Sequence, residues 1–184
     1  MTTTAIYDLS ISYIEDCVNH RKMLNGFYCG DNDLTPYFQD LVLMDKDLVK
    51  FMVVDNIRKR IVGCATFCCS IIGSKHINFE RFIPAIQIKH YSIDTYYQKK
   101  SMYGDNKYPY ISSVIFNTFI EFLNNCITAN MIGAKYLVVY STPASVEFYR
   151  RHGFREFDKD TMFCDNGTYC RNCIPMYLEV YHNY

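Results

Sequence analysis

The sequence predicts an α/β chain built on a mixed β-sheet, and three observations carry that expectation. β-rich runs alternate with helix-patterned stretches along most of the chain. Two of these runs, residues 51–55 and 61–72, are separated only by the polar residues 56–60, which suits an antiparallel hairpin. Farther on, strand and helix patterns alternate over residues 84–151, which favours a parallel pair in mid-sheet because a parallel crossover carries a helix. The expected sheet has about six to seven strands, with helices on both faces.

The elements follow in order. Residues 12–22 place Tyr13, Ile14, Cys17 and Val18 at helical spacing, and a second helix is expected from near Asp33 through Leu34, Tyr37, Phe38, Leu41 and Val42. After the hairpin, residues 84–94 read as another strand. A polar loop then leads to an apolar helix from about Pro109 to Asn125, Pro109 suiting a first helical turn. Gly133 is positioned to end that helix. Residues 136–140 are a short buried-strand run, Thr142 and Pro143 open a helix that runs through Arg151, and Gly153 closes it. Residues 173–180 form the last expected strand.

Composition bounds the function. A chain of 184 residues fits one domain, 1–184, and 49% hydrophobic with 21% charged residues excludes the disordered and fibrous classes. Nineteen Lys plus Arg balance nineteen Asp plus Glu, so the molecule as a whole exerts no strong long-range pull on a polyanion. Residues 1–10 lack the basic region and apolar core of a signal peptide, and the longest apolar run, 61–72, is too short for a bilayer. A cytoplasmic location with no membrane partner is expected. The nine cysteines are then expected as reduced thiols, with Cys64, Cys68 and Cys69 as small core residues. Cys170 and Cys173, with Cys164 nearby, offer three of the four ligands a closed zinc site needs, so no metal is expected.

The most informative stretch is residues 148–154, Phe-Tyr-Arg-Arg-His-Gly-Phe, placed just after a strand. On packing alone it is a helix with an inward aromatic pair and a glycine cap. It also resembles the F-Y-x-x-x-G-F signature of the GNAT superfamily of acetyltransferases. That resemblance implies that Tyr149 protonates the departing coenzyme A thiolate, a role a phenol with an ordinary pKa of about 10 can fill. Thr142, seven residues earlier, stands where the family often has a coenzyme-contacting Asn.

A second resemblance covers residues 84–101. They are similar to the family's central strand followed by its phosphate loop, which implies that the backbone of Tyr91, Ser92 and Ile93 contacts the acetyl carbonyl and pantetheine arm of acetyl-CoA. It also implies that Gln98, Lys99, Lys100 and Ser101 belong to the pyrophosphate loop. The chain departs from the pattern by placing Ser101 and Tyr103 where glycines belong, and Lys99, Lys100 and Lys107 offer charge instead. Residues 27–38 are similar to the opening of the GNAT branch that includes tRNA-acetylating toxins.

The resemblance therefore implies an N-acetyltransferase in which an amine of unidentified kind attacks acetyl-CoA directly. Two alternatives stay open, a GNAT-like binding or regulatory module without chemistry and a toxin acetylating aminoacyl-tRNA. The neutral charge speaks against tRNA, although Arg150, Arg151 and Arg155 form a candidate local patch. His90 and Glu80 are the candidate general bases, with a water relay as the other route, and a homodimer is an open option.

Overall fold

The computed structural model describes residues 7–76, 79–103, 109–128, 133–157, 162–164 and 172–180. Along the chain run β1 (Leu9–Tyr13), α1 (Val18–Asn25), α2 (Leu34–Pro36) continuing into a π-helical turn (Tyr37–Leu41), β2 (Val49–Asp55), β3 (Arg60–His76) and β4 (Phe79–Ile93). Then come α3 (Ile111–Thr128), β5 (Tyr136–Ser141), a 3-10 turn (Pro143–Ser145), α4 (Val146–Arg151), β6 (Arg155–Glu156), β7 (Met162–Cys164) and β8 (Ile174–Glu179). These residues divide into two compact units, Met1–Thr66 with His90–Phe119 and Phe67–Lys89 with Ile120–Tyr184. β3, β4 and α3 each contribute to both.

In the first unit the strand order is β1, β2, β3, β4. β1 lies antiparallel to β2, from Leu9 opposite Asp55 to Tyr13 opposite Phe51. This pairing corrects the expected helix over 12–22. Ser12 and Tyr13 complete a strand because each finds a β2 partner, and the helix starts only at Val18. A helical face is read from spacing alone, whereas a strand partner about 40 residues away is invisible to a local pattern. The core gathers Ile14, Leu24, Phe27, Phe38, Met52, Ile61 and Cys64, with Phe27 and Phe38 edge to face at 5.6 Å. Burial of each large apolar side chain contributes roughly 1.5–3 kcal/mol. Gly63 is required by close approach, since a Cβ there would lie 2.7 Å from Ile93 Cδ1 and 2.9 Å from the Ser92 carbonyl oxygen.

In the second unit β4 pairs parallel with β5, from Ala85 opposite Tyr136 to Ile88 opposite Val139, as the strand and helix alternation predicted. β8 pairs antiparallel with β5 over six residues, β6 adds two residues to β8, and β7 pairs with β3 from Ile72 to Ser74. A core of Ile72, Ala85, Val138 and Phe157 is flanked by Tyr136, Tyr140 and Tyr177. Gly153 takes φ +86°, the left-handed cap that ends α4. Pro143 starts a 3-10 turn instead of opening α4 directly.

α3 buries Ile111, Ile115, Phe116 and Phe119 in the first unit and Leu123 and Ile127 in the second. It runs three residues beyond the expected Asn125, and Gly133 stands after it in open space. No helix among the described residues is long and apolar enough to cross a membrane. Cys17, Cys29, Cys64, Cys68, Cys69 and Cys126 are free thiols, but Cys173 is disulfide-bonded, which corrects the expectation of nine reduced cysteines at that position. Cys170 and Lys107 lie outside the described residues.

Candidate functional site

The end of β4 is organised by one buried carboxylate. Asp94 is fully buried and accepts hydrogen bonds from the Tyr28 N–H at 3.2 Å, the Tyr96 N–H at 2.9 Å and the Arg60 guanidinium at 2.9 and 3.1 Å. A carboxylate out of water needs such donors, and Arg60 also offsets its charge. The Asp94 N–H donates to the Val62 carbonyl at 2.9 Å, while its own carbonyl accepts from Tyr97 and Gln98 N–H at 2.9 and 3.2 Å. The chain therefore reverses immediately after the strand. The parallel ladder with β5 ends at Ile88, and β4 continues to Ile93 beyond it.

The residues assigned to the coenzyme on β4 are placed as follows. Tyr91 donates its hydroxyl to the Ser112 carbonyl of α3 at 2.6 Å and packs its ring on Phe116, so its side chain faces that helix. Ser92 and Ile93 are buried.

In the turn, the Gln98 side-chain amide donates to the Cys29 carbonyl at 2.8 Å and the Ile93 carbonyl at 3.0 Å, fastening the turn to residues 27–30. Lys99 is exposed and adopts φ +60°, an unusual conformation for a residue with a Cβ. Lys100 places its ammonium 3.1 Å from the Tyr96 ring centroid, and its carbonyl accepts from the Ile111 N–H at 2.8 Å. Ser101 is buried, bridges to Tyr110 and accepts the Tyr103 N–H on its hydroxyl at 3.2 Å. Where the family has glycines, this chain has Ser101, buried and bridged to Tyr110, and Tyr103, which is exposed.

The other two assigned residues belong to the second unit. Thr142 is exposed at the start of the 3-10 turn, where its carbonyl accepts the Ser145 N–H at 2.9 Å and its hydroxyl donates to Ser145 Oγ at 3.2 Å. Tyr149 is buried, with Phe148 and Phe154 edge to face at 5.3 and 5.8 Å. Burial pushes its phenol up to about 12, so it stays protonated through neutral and mildly alkaline pH. Beside it Arg150 pairs with Glu147 and Glu156, which neutralises one member of the expected arginine patch.

The structure thus gathers Tyr91, Ser92, Ile93, Gln98, Lys99, Lys100 and Ser101 into one strand end and turn, and sets Thr142 and Tyr149 around the turn that follows β5. His90 is the hydrogen-bonded strand histidine, with Nδ1 2.9 Å from Thr66 Oγ1 and its ring 4.2 Å from that of Tyr37. The Glu80 side chain lies outside the described residues. Among the described residues no cluster of His, Cys, Asp or Glu has a metal-binding arrangement.

Sequence reasoning misses the roles of Asp94, Arg60 and Tyr96. The signal for Asp94 is a lone acid closing an apolar strand. Nothing local pairs it with Arg60, 34 residues earlier.

No protein-family model matches the chain, and no curated protein matches it in sequence. Solved structures do match it. A bacterial toxin superposes with TM-score 0.71 at 15% identity over 95% of this chain and 92% of its own. AtaT complexed with acetyl-methionyl-tRNAfMet gives 0.67 at 18% identity over 94% of this chain and 95% of its own. AtaTR bound with AcCoA gives 0.62 at 18% identity over 94% of each chain. Identity at this level speaks for shared architecture, and function has to be argued from the site. With the strand order and the β4, β5 and α4 succession, these matches make the chain a GNAT fold.

Proposed function

We propose that residues 1–184 work as one acyltransferase domain in the cytoplasm, an N-acetyltransferase that passes the acetyl group of acetyl-CoA to an amine by direct attack. The amine nitrogen forms a bond to the acetyl carbon, the carbon–sulfur bond breaks, the Tyr149 phenol gives its proton to the thiolate, and water takes the proton lost by the amine. The backbone of Tyr91, Ser92 and Ile93 polarises the thioester carbonyl and holds the pantetheine arm. Gln98, Lys99, Lys100 and Ser101 shape the turn that receives the pyrophosphate, and Thr142 contacts the coenzyme beside β5.

The observation that carries this reading is the place of Tyr149 on the short helix that follows β5, the strand paired parallel with β4. A phenol there holds its proton at neutral pH and can give it to a forming thiolate. The fold shared with AtaTR bound with AcCoA supports the choice of acyl donor. The GNAT-fold AtaT structure with acetyl-methionyl-tRNAfMet puts aminoacyl-tRNA among the acceptors to test.

The test is thiol release from acetyl-CoA against amines, polyamines and charged tRNAs, with Tyr149→Phe beside wild type. Turnover of the variant is expected to fall about 10²-fold or more, while acetyl-CoA still raises the melting temperature by the same amount. Loss of coenzyme affinity in the variant would contradict the assigned role. One observation favours a second reading, a GNAT-like binding module, because Ser101 fills the turn where the family has open backbone. That reading expects no thiol release with any acceptor and no stabilisation by acetyl-CoA.

A further inference from the structure

Two cations converge on one exposed ring in the turn after β4. The Lys100 ammonium lies 3.1 Å from the Tyr96 ring centroid, and the Arg60 guanidinium lies 5.3 Å from it. Both distances fall inside the roughly 6 Å over which a ring face attracts a cation. Tyr96 is 41% exposed, and two contacts fix its place. Its N–H donates to the buried Asp94 carboxylate at 2.9 Å, and its ring meets that of the fully buried Tyr97 edge to face at 4.9 Å.

The two cations differ in what neutralises them. Arg60 has Asp94 as its counter-charge at 2.9 Å, whereas Lys100 pairs with no carboxylate among the described residues. A free lysine side chain samples many rotamers, and ordering it opposes binding. A ring face orders the ammonium and leaves its full charge for an anion, while a carboxylate would order and neutralise it together. The backbone of Lys100 is fixed as well, its N–H donating to the Tyr97 carbonyl at 3.2 Å and its carbonyl accepting the Ile111 N–H at 2.8 Å. Lys99 before it holds φ +60°, a conformation that favours glycine.

We infer that Tyr96 is a positioning residue whose ring face holds the Lys100 ammonium ready for the pyrophosphate of acetyl-CoA. The inference rests on the acetyl-transfer reading, which gives this turn to the pyrophosphate. A glycine-rich turn meets phosphate with bare backbone N–H groups. This turn has Ser101 and Tyr103 at those places, and a preordered point charge stands in for the glycines. Lys100 and Arg58 also reach the Tyr96 hydroxyl and hold its phenol below the ordinary value, so the test has to separate ring from hydroxyl.

The test is isothermal titration calorimetry of the full chain with acetyl-CoA, on wild type, Lys100→Gln, Tyr96→Leu, the double variant and Tyr96→Phe. Each of Lys100→Gln and Tyr96→Leu is expected to weaken acetyl-CoA binding by about fivefold or more. The double variant should bind no more weakly than Lys100→Gln alone, because without the ammonium the ring has nothing to hold. Tyr96→Phe keeps the ring face and should bind within about twofold of wild type. If Tyr96→Leu does not fold, Tyr96→Gln takes its place in the cycle.

With acetyl-CoA still bound by wild type, the inference alone is overturned if Lys100→Gln or Tyr96→Leu binds as wild type does. It is also overturned if the double variant loses the product of the two single losses, since the ring would then act independently of Lys100. Loss in Tyr96→Phe as large as in Tyr96→Leu would give the role to the hydroxyl and overturns it too. Wild type that neither binds acetyl-CoA nor gains melting temperature from it at millimolar concentration would sink the acetyl-transfer reading, and the inference with it.

Discussion

The turn after β4 and the turn after β5 meet the same demand, to present polar groups at the end of a strand, by opposite means. The first is built on charge, with Asp94 and Asp55 each buried and each holding an arginine. The second is built on rings, with Tyr149 packed by Phe148 and Phe154. A buried carboxylate is stable only while its donors stay in place, whereas a buried phenol is stable only while it keeps its proton. The two turns should therefore fail under different perturbations.

The largest effect is expected from Asp94→Ala. It removes the acceptor of the Tyr28, Tyr96 and Arg60 donors at once and leaves a guanidinium without its counter-charge. Breaking a buried pair from one side typically costs about 3–5 kcal/mol, and because Arg60 is partly exposed the value here should be about 3 kcal/mol. Denaturant unfolding measures it. A loss under about 1 kcal/mol would show that the first turn is not built on this carboxylate.

Titration separates the two designs next. The Tyr149 phenol is raised to about 12 from an ordinary value near 10. Its contribution to stability is therefore complete below pH 10 and is lost as pH rises from about 10 to 12, at about 1.4 kcal/mol per unit, up to about 3 kcal/mol. Tyr37 and Tyr97, raised by burial in the first unit, add the same sign, so only the difference between wild type and Tyr149→Phe isolates the second turn's share of the alkaline limb.

Asp55 behaves oppositely. Burial raises its carboxyl, but the Arg58 and Tyr97 side chains and the N–H groups of Arg58 and Ile57 outweigh that and hold it below the usual range. Its contribution is present above the ordinary carboxylate pKa and is lost as pH falls through the lowered value. Unfolding free energy against pH should fall at both ends, with Tyr149→Phe flattening the alkaline limb and Asp55→Asn the acid one. Alkaline limbs that coincide in wild type and Tyr149→Phe would break the comparison.

The second turn is far more legible in the sequence than the first. Residues 148–154 are contiguous, and their aromatic pair, glycine and helical spacing describe in advance a short helix ended by a left-handed Gly153. The hairpin, the parallel pair and the apolar helix are legible for the same reason, because each rests on a local period. The first turn is assembled from partners distant in the chain, Asp94 with Arg60 and Tyr28, Gln98 with Cys29, Tyr97 with Asp55. No spacing rule reaches across such separations. For that reason the resemblance presents Gln98 and Ser101 as members of a phosphate loop with no sign of the distant partners that fasten them, and local spacing presents the end of β1 as helix.

The smallest effect is expected where the counter-charge of an arginine is exposed. Proximity in the chain puts the candidate patch at Arg150, Arg151 and Arg155. Arg150, however, already bonds two exposed glutamates, Glu147 and Glu156, and an exposed pair of this kind is typically worth about 0.2–1 kcal/mol. Arg150→Ala should therefore change unfolding free energy by less than about 1 kcal/mol and should change the salt dependence of any polynucleotide binding hardly at all. Arg58 and Arg60 instead pair with the fully buried carboxylates of Asp55 and Asp94. A loss clearly above about 1 kcal/mol would show that exposure of the counter-charge does not set the worth of an ion pair in this chain, against the contrast drawn with Asp94.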